Sequence, residues 1–389
     1  MWKVEEKSVM NMISKKRAVL CILDGLGIGA MPDAPEQQQG ANTTNHVISR
    51  EQRASFPHLA ALGLFEAADG TFGPAVGRAA LGYPGADSYL GHNELLGGTA
   101  PETHPDTVRG RLEFLIPALE QAGFIVHPIA DNGALWVNNG ILVSDNLENE
   151  PGMAINLAAT FDIVDLETLV RAGEVVRTQV RNPRVIAFGS PEISPESILS
   201  AVHKASEGRT GIVTPEVGFY KEGYLVRHLG VGFKPDDELP LQFMQAGYPV
   251  ELIGKVADVA AGDQGIPRRP TVDTPGVLSD INETWERLES GLIVATVQET
   301  DLSGHAEDVD RFRDILRQVD TWLGEFLPRL DDESLLIISA DHGNDPTYGT
   351  HHTREYVPVL VRGPLTEPLT PMSSLRGVAA LCRSFFGLA

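Results

Sequence analysis

Asp301 and His305 stand four residues apart in Asp301-Leu-Ser-Gly-His305, Asp341 and His342 are adjacent, and His351-His352 begins ten residues after Asp341. A single pair of this kind is most often a capped turn or a solvated loop. Together with Asp24, however, these pairs follow the ends of short apolar runs, and coincidence becomes a poor account of them. Carboxylate and imidazole donors without thiolate suit Mn²⁺, Zn²⁺ or Mg²⁺ rather than copper or an iron–sulfur cluster. Six to seven such donors exceed the needs of one ion, so two ions are expected. Two divalent ions a few ångströms apart serve in-line phosphoryl displacement. Ala86-Asp87-Ser88-Tyr89-Leu90-Gly91-His92-Asn93 supplies a candidate nucleophile in Ser88, just before a possible helix start. Read alone, Ser88 fits an N-cap better than a catalyst, and no Gly-x-Ser-x-Gly elbow surrounds it.

The elements that must position these residues can be read from apolar periodicity. Ala18 to Leu23 is a continuous apolar run ending at Asp24, which suits a strand buried on both faces of a parallel sheet. Leu292 to Val297, Leu335 to Ala340 and Val357 to Val361 repeat the pattern, with Pro358 marking an edge or a strand beginning. Phe312, Ile315, Leu316, Val319, Trp322, Leu323 and Phe326 recur at helical spacing between two of these runs. Strand, helix, strand at this length predicts a right-handed crossover, and open sheets of that kind collect ligands at the carboxyl ends of their strands. From about Pro101 to Gly230 the runs are shorter and mixed with a helix-like segment, Leu166 to Val176. The fold class expected is α/β, with a mostly parallel sheet, helices on both faces and a smaller inserted α+β cap domain. The division expected is 1–101 and 231–389 for a split core and 102–230 for the cap, hinged at Gly97-Gly98 and around Gly230 to Pro235.

Composition removes other classes. Fifty-three acidic against 31 basic residues give a formal charge of −22, which argues against a nucleic-acid or anionic-membrane partner. Two cysteines, Cys21 and Cys382, exclude a disulfide scaffold or a thiolate zinc site. No window approaches a membrane span, and the opening Met1-Trp2-Lys3-Val4-Glu5-Glu6 is not a signal peptide, so a cytoplasmic location is expected. Gly25-Leu-Gly27-Ile-Gly29-Ala30 satisfies a loose dinucleotide pattern, but Met31-Pro32-Asp33 follows where a helix N-terminus would be needed. A Walker loop is absent, since Val256 follows Gly254-Lys255.

Longer tracts carry a resemblance. Leu23-Asp24-Gly25-Leu26-Gly27-Ile28-Gly29-Ala30-Met31-Pro32-Asp33-Ala34 resembles the opening motif of the phosphopentomutases, binuclear metalloenzymes of the alkaline phosphatase superfamily related to cofactor-independent phosphoglycerate mutases. Gly254-Lys255-Val256-Ala257-Asp258-Val259, Ala340-Asp341-His342-Gly343-Asn344-Asp345-Pro346-Thr347 and His352-Thr353-Arg354-Glu355-Tyr356-Val357-Pro358 are similar to later motifs, in the same order. The resemblance implies an alkaline-phosphatase-like core in which Asp301, His305 and His352 hold one metal and Asp24, Asp341 and His342 the other. It implies that Ser88 carries the phosphoryl group, with Lys255 and Arg184 as substrate contacts. The implied cofactors are two divalent ions, Mn²⁺ foremost with Mg²⁺ or Zn²⁺ as alternatives, and a sugar bisphosphate as a candidate activator.

The implied activity is an isomerase interconverting (deoxy)ribose 1-phosphate and 5-phosphate through a phosphoserine, with a small phosphorylated sugar as partner and nucleoside catabolism as setting. Two alternatives stand beside it: a phosphatase or mutase for another phosphosugar or phosphonate, and a non-catalytic metal-binding protein. Departures motivate the first of these. Asp301 and His305 have the phosphoglycerate mutase spacing, Asn93 stands where the family has Trp, and the segment Arg184-Val-Ile-Ala-Phe188 lacks a second Arg. An Arg-rich family stretch is not recognisable around Phe219 to Arg227, where Lys221, Arg227 or Arg209 are candidate substitutes.

Overall fold

The computed structural model describes residues 15–148, 152–205, 208–219, 223–234, 237–260, 265–365 and 367–388, so Lys221, Pro235 and the opening residues 1–6 lie outside the described chain. In chain order the strands are β1 (Arg17–Leu23), β2 (Val76–Ala79), β3 (Val126–Ile129), β4 (Ala134–Val137), β5 (Ile141–Asp145), β6 (Ala154–Thr160) and β7 (Arg184–Ser190). They continue with β8 (His203–Lys204), β9 (Thr210–Gly211), β10 (Leu225–Gly230), β11 (Val250–Gly254), β12 (Arg268–Arg269), β13 (Gly291–Val297), β14 (Ser334–Ser339) and β15 (Val357–Arg362).

The larger sheet has the order β12-β11-β13-β1-β14-β15-β2. Its first five strands are parallel, and β15 runs antiparallel to both neighbours. β1, β13 and β14 read as unbroken apolar runs because both faces are covered; Leu20, Ile22, Val294 and Ile337 have no exposure. One cover is the Val309–Phe326 helix, capped by Asp308, whose side chain accepts from Arg311 N. The helix buries the stripe from Phe312 to Phe326 expected from its spacing. Pro358 is the second residue of β15, as a strand beginning requires, but β15 is flanked by β14 and β2, so the edge alternative is excluded.

A second sheet, β10-β7-β6-β5-β4-β3, is built from residues 126–230 and is antiparallel apart from the β6–β7 pair. Alternate residues of β4 pack to opposite sides: Leu135 and Val137 join the helices Val108–Gln121 and Leu166–Gln179, whereas Ala134 and Trp136 join Phe188 and Phe219. The hydrophobic cluster around the larger sheet draws on residues 18–96 and 233–386, and those of the second sheet on residues 108–219.

Candidate metal centre and nucleophile

Four neighbouring parallel strands deliver the chemistry at their carboxyl ends. Lys255 follows β11, the Glu299–His305 helix follows β13 and brings Asp301 and His305, Asp24 follows β1, and Asp341-His342 follows β14. Gly254 makes the first of these turns at φ +75°, with Thr296 O 2.2 Å from where a Cβ would stand, so only glycine lets the chain swing Lys255 inward.

Asp301, His305 and His352 lie together. His305 Nε2 is 3.5 Å from Asp301 Oδ2, His352 Nε2 is 3.4 Å from Asp301 Oδ1, and the two imidazole Nε2 atoms are 3.1 Å apart. Asp24, Asp341 and His342 form a second group, with His342 Nε2 3.7 Å from Asp24 Oδ1 and 3.1 Å from Asp341 Oδ2. The groups abut, since the His342 and His352 rings stack at 3.9 Å and one ligand atom each from Asp301, His342 and His352 also fall within metal-binding reach.

Between the groups stands Ser88. Its Oγ is 2.9 Å from His342 Nε2 and receives a hydrogen bond from Lys255 Nζ at 3.0 Å. The N-cap of the Ser88–Leu95 helix is Asp87, whose Oδ1 accepts from Leu90 N at 3.0 Å. Ser88 is the first helical residue, which corrects the capping role read for it from sequence: a carboxylate precedes it and takes the cap. Its hydroxyl is left to face the ligands.

The electrostatics fit divalent ions. Asp24, Asp301 and Asp341 are at most 3% exposed, and three buried carboxylates need cationic compensation. Neither oxygen of Asp24, nor Oδ2 of Asp341, accepts an aligned hydrogen bond, although Lys255 Nζ lies 2.9 Å from Asp24 and the imidazoles of His92 and His342 lie 3.0 and 3.1 Å from Asp341. Oxygen atoms buried with charge nearby but no aligned donor are those a cation would use. Burial and then the Asp341 charge push the Asp24 carboxyl up to about 7. Burial acts the same way on Asp301 and Asp341, but Lys255 and His352 beside the first, and His342 and His92 beside the second, hold both well below the usual range. For His342 the penalty of burial is outweighed by Asp341, giving about 9; for His352 burial and the His342 charge give about 4. Lys255 is held above its ordinary value, the penalty of burial being exceeded by Asp24, Asp301 and Asp341.

Other side chains brace this centre without having been assigned a role from sequence. His92, fully buried, has Nδ1 2.8 Å from Ser88 O and Nε2 3.0 Å from Thr296 Oγ1. Asn344 Nδ2 donates to Asp301 Oδ1 at 2.8 Å, and Tyr83 donates from its hydroxyl to Asp341 O at 3.1 Å. His92 and Asn344 lie inside the motifs already singled out, so proximity in sequence was their only signal.

The second sheet faces the centre. Arg184, first residue of β7, reaches Asp87 Oδ2 at 2.6 Å. Arg184 also borders a cavity of about 240 Å³ lined by Asn146, Asn156, Phe188, Tyr224 and His228 among others. His228 lines that cavity with its residue exposed, and the surrounding protein, followed by the Arg184 and Lys255 charges, holds its imidazole below its ordinary value. Of the candidate substitutes, Arg209 donates to Asn146 O and Arg227 to its neighbour Val226 O. Asn93 is buried and donates to Tyr89 O and Val259 O.

A family model described as the metalloenzyme superfamily matches residues 16–388. The phosphopentomutase of Symbiobacterium thermophilum is 30% identical, with 92% of this chain and 90% of that one covered. That of Syntrophotalea carbinolica is 32% identical over 91% and 90% of the two chains. Among solved structures, the phosphoglycerate mutase of Leishmania mexicana covers 97% of this chain and 96% of its own at 12% identity, with a TM-score of 0.44.

Proposed function

Because the chain belongs to the phosphopentomutase family of the metalloenzyme superfamily, and is thereby an isomerase of phosphosugar mutase type, we propose that it interconverts pentose 1-phosphate and 5-phosphate through phospho-Ser88. The observation that carries this is the place of Ser88 Oγ, 3.0 Å from Lys255 Nζ and 2.9 Å from His342 Nε2, where two sets of oxygen and nitrogen donors meet.

In this reading Asp301, His305 and His352 hold one divalent ion and Asp24, Asp341 and His342 the other, Mn²⁺ being the first expectation. When bound, such ions favour the ionised form of a nearby hydroxyl and screen phosphoryl oxygens. Lys255 gives a hydrogen bond to Ser88 Oγ and neutralises charge on the group being transferred. A sugar hydroxyl takes the phosphoryl group as the P–Oγ bond breaks, its proton passing to Oγ; the bisphosphate turns over and its other phosphoryl group returns to Oγ, whose proton goes to the sugar oxygen released. A sugar bisphosphate primes the serine. Residues 102–230 act as a cap that excludes water, and 1–101 with 231–389 as the split core, Arg184 facing the substrate from the cap.

A test is the Ser88→Ala protein assayed with Mn²⁺, ribose 5-phosphate and a priming bisphosphate. Ribose 1-phosphate formation should fall by on the order of 10³-fold or more. Turnover at the parental rate would remove Ser88 from the mechanism. A second reading, a mutase for a different phosphosugar, is favoured by the cap cavity, whose lining supplies amides, two aromatic rings, an imidazole and the Glu148 carboxylate but Arg184 as its one guanidinium among the described residues. A phosphosugar panel scored for both isomerised product and free phosphate separates the two.

A further inference from the structure

The gap that Arg184 shares with Asp87, His305 and His352 is too small for a sugar phosphate. Arg184 on one side and Ala86, Asp87, His305, His351 and His352 on the other border a cavity of about 10 Å³, room for roughly one water. Substrate entry therefore requires the two parts to separate, and whatever joins them must break and re-form in each turnover.

What joins them flanks the nucleophile. On one side of Ser88, Asp87 pairs with Arg184 at 2.6 Å, the two side chains being 1% and 12% exposed. On the other, the Tyr89 hydroxyl donates to Val231 O at 3.0 Å and the Tyr89 ring meets the edge of Phe233 at 5.7 Å. Val231 in turn donates to Pro183 O at 2.8 Å, immediately before Arg184. Asp87 thus grips the start of β7, while Tyr89 holds the segment that leaves β10 and is itself tied back to Pro183. Arg184 Nε is buried without an acceptor, so the ion pair uses only part of the guanidinium.

The geometry points to the Asp87–Arg184 pair as a clasp that shuts the cap over Ser88, with Asp87 a positioning residue that decides between transfer to sugar and transfer to water. This rests on the reading of Ser88 as the phosphorylated residue. A buried ion pair suits a reversible clasp, because rehydration of both ions on opening offsets much of the attraction lost. With the clasp loosened, water reaches phospho-Ser88: its oxygen bonds to phosphorus, the P–Oγ bond breaks, Oγ recovers a proton and inorganic phosphate leaves. The isomerase then leaks as a phosphatase.

Asp87→Asn separates the two duties of this residue, since Asn caps a helix as well as Asp while giving up the charge that holds Arg184. Asp87→Asn, Arg184→Gln and the double variant are assayed as full-length proteins with Mn²⁺, ribose 5-phosphate and ribose 1,5-bisphosphate, and both products are measured in each reaction. Each single variant should raise phosphate released per sugar isomerised by about tenfold, and the double variant should add little further, as for two halves of one interaction. A raised KM for Arg184→Gln at an unchanged product ratio, with Asp87→Asn like the parent, would overturn the clasp and leave Arg184 a plain substrate contact. Amide hydrogen exchange is read on the same proteins. Faster exchange at residues 184–190 and 89–96 in both variants is expected, and unchanged exchange counts against the clasp. If the parent isomerises no pentose phosphate, the functional reading fails, while the exchange result still decides whether this pair holds the cap.

Discussion

Arg354 gathers three segments around one guanidinium. It donates to Tyr83 O at 2.7 Å, to Gly85 O at 2.6 Å, and from Nε and Nη2 to the two oxygens of Asp33 at 3.0 and 2.8 Å, tying the opening motif and the last motif to the loop before Ser88. The hydrogen bond from Arg354 is the largest influence on the Asp33 carboxyl and holds it below its ordinary 3.8. A carboxyl depressed in the folded chain stabilises it above the unfolded value, and that contribution disappears as pH falls through the folded value. Asp33→Asn should therefore be less stable than the parent at pH 6 by less than about 1 kcal/mol, Asp33 being largely exposed. The gap should close as the pH drops past 3.8 and should shrink in salt, both measurable by urea unfolding. A gap that persists at pH 2 would mean that the amide loses packing rather than charge. At this scale the sequence was most informative where chemistry restricts residue type: Asp24, Asp301, His305, Asp341, His342 and His352 lie within contact distance of one another. Asp87 was less legible because a carboxylate before a serine is common, and its partner Arg184 lies 97 residues away in the chain, as 184 − 87 shows.

Elements position the candidate site, and the helix bearing Ser88 is one of the closely packed cases. Gly91, one turn on, packs on the end of β14 so closely that an added Cβ would lie 2.5 Å from Asp341 O and 2.8 Å from Asp341 Cβ. Both neighbours are main chain or its first carbon and have little freedom to retreat. Gly91→Ala should push the helix outward and lengthen the Ser88 to His342 contact. Activity should drop by roughly 10²-fold, as misplacement of about 1 Å commonly costs, while the circular dichroism spectrum is retained; parental activity would show that the helix accommodates a methyl group. The long apolar runs were legible as β1, β13 and β14 because strands buried on both faces leave no polar alternation to misread. The second sheet was not legible in register. Its β3–β4 turn runs through Ala130, Asp131 and Asn132 at positive φ, a conformation that Ala does not advertise.

On the scale of the whole molecule, a net charge of −22 would repel the proposed phosphosugar, so attraction would have to come from the proposed ions, Lys255 and the basic groups of the proposed cap within a screening length. The same centre should also link metal binding to folding. On the proposed division, all six proposed ligands belong to the split core, and the hydrophobic clusters of the second sheet contain none of them. An ion that binds only the folded core at 100 times its dissociation constant stabilises it by about 2.7 kcal/mol. For a core of this size that is a rise in melting temperature of roughly 5–10 °C. Calorimetry with EDTA and then with Mn²⁺ should therefore show one transition moving upward and another, from the cap, staying in place. Hydrogen exchange should report added protection in β1, β13 and β14 but not in β4 to β6. Equal movement of both transitions would mean that cap and core unfold as one unit; no movement would mean that the three buried carboxylates are compensated by Lys255 and the imidazoles alone. The second outcome would remove the metals from the proposed mechanism, because groups that already satisfy one another have no net affinity left for a cation.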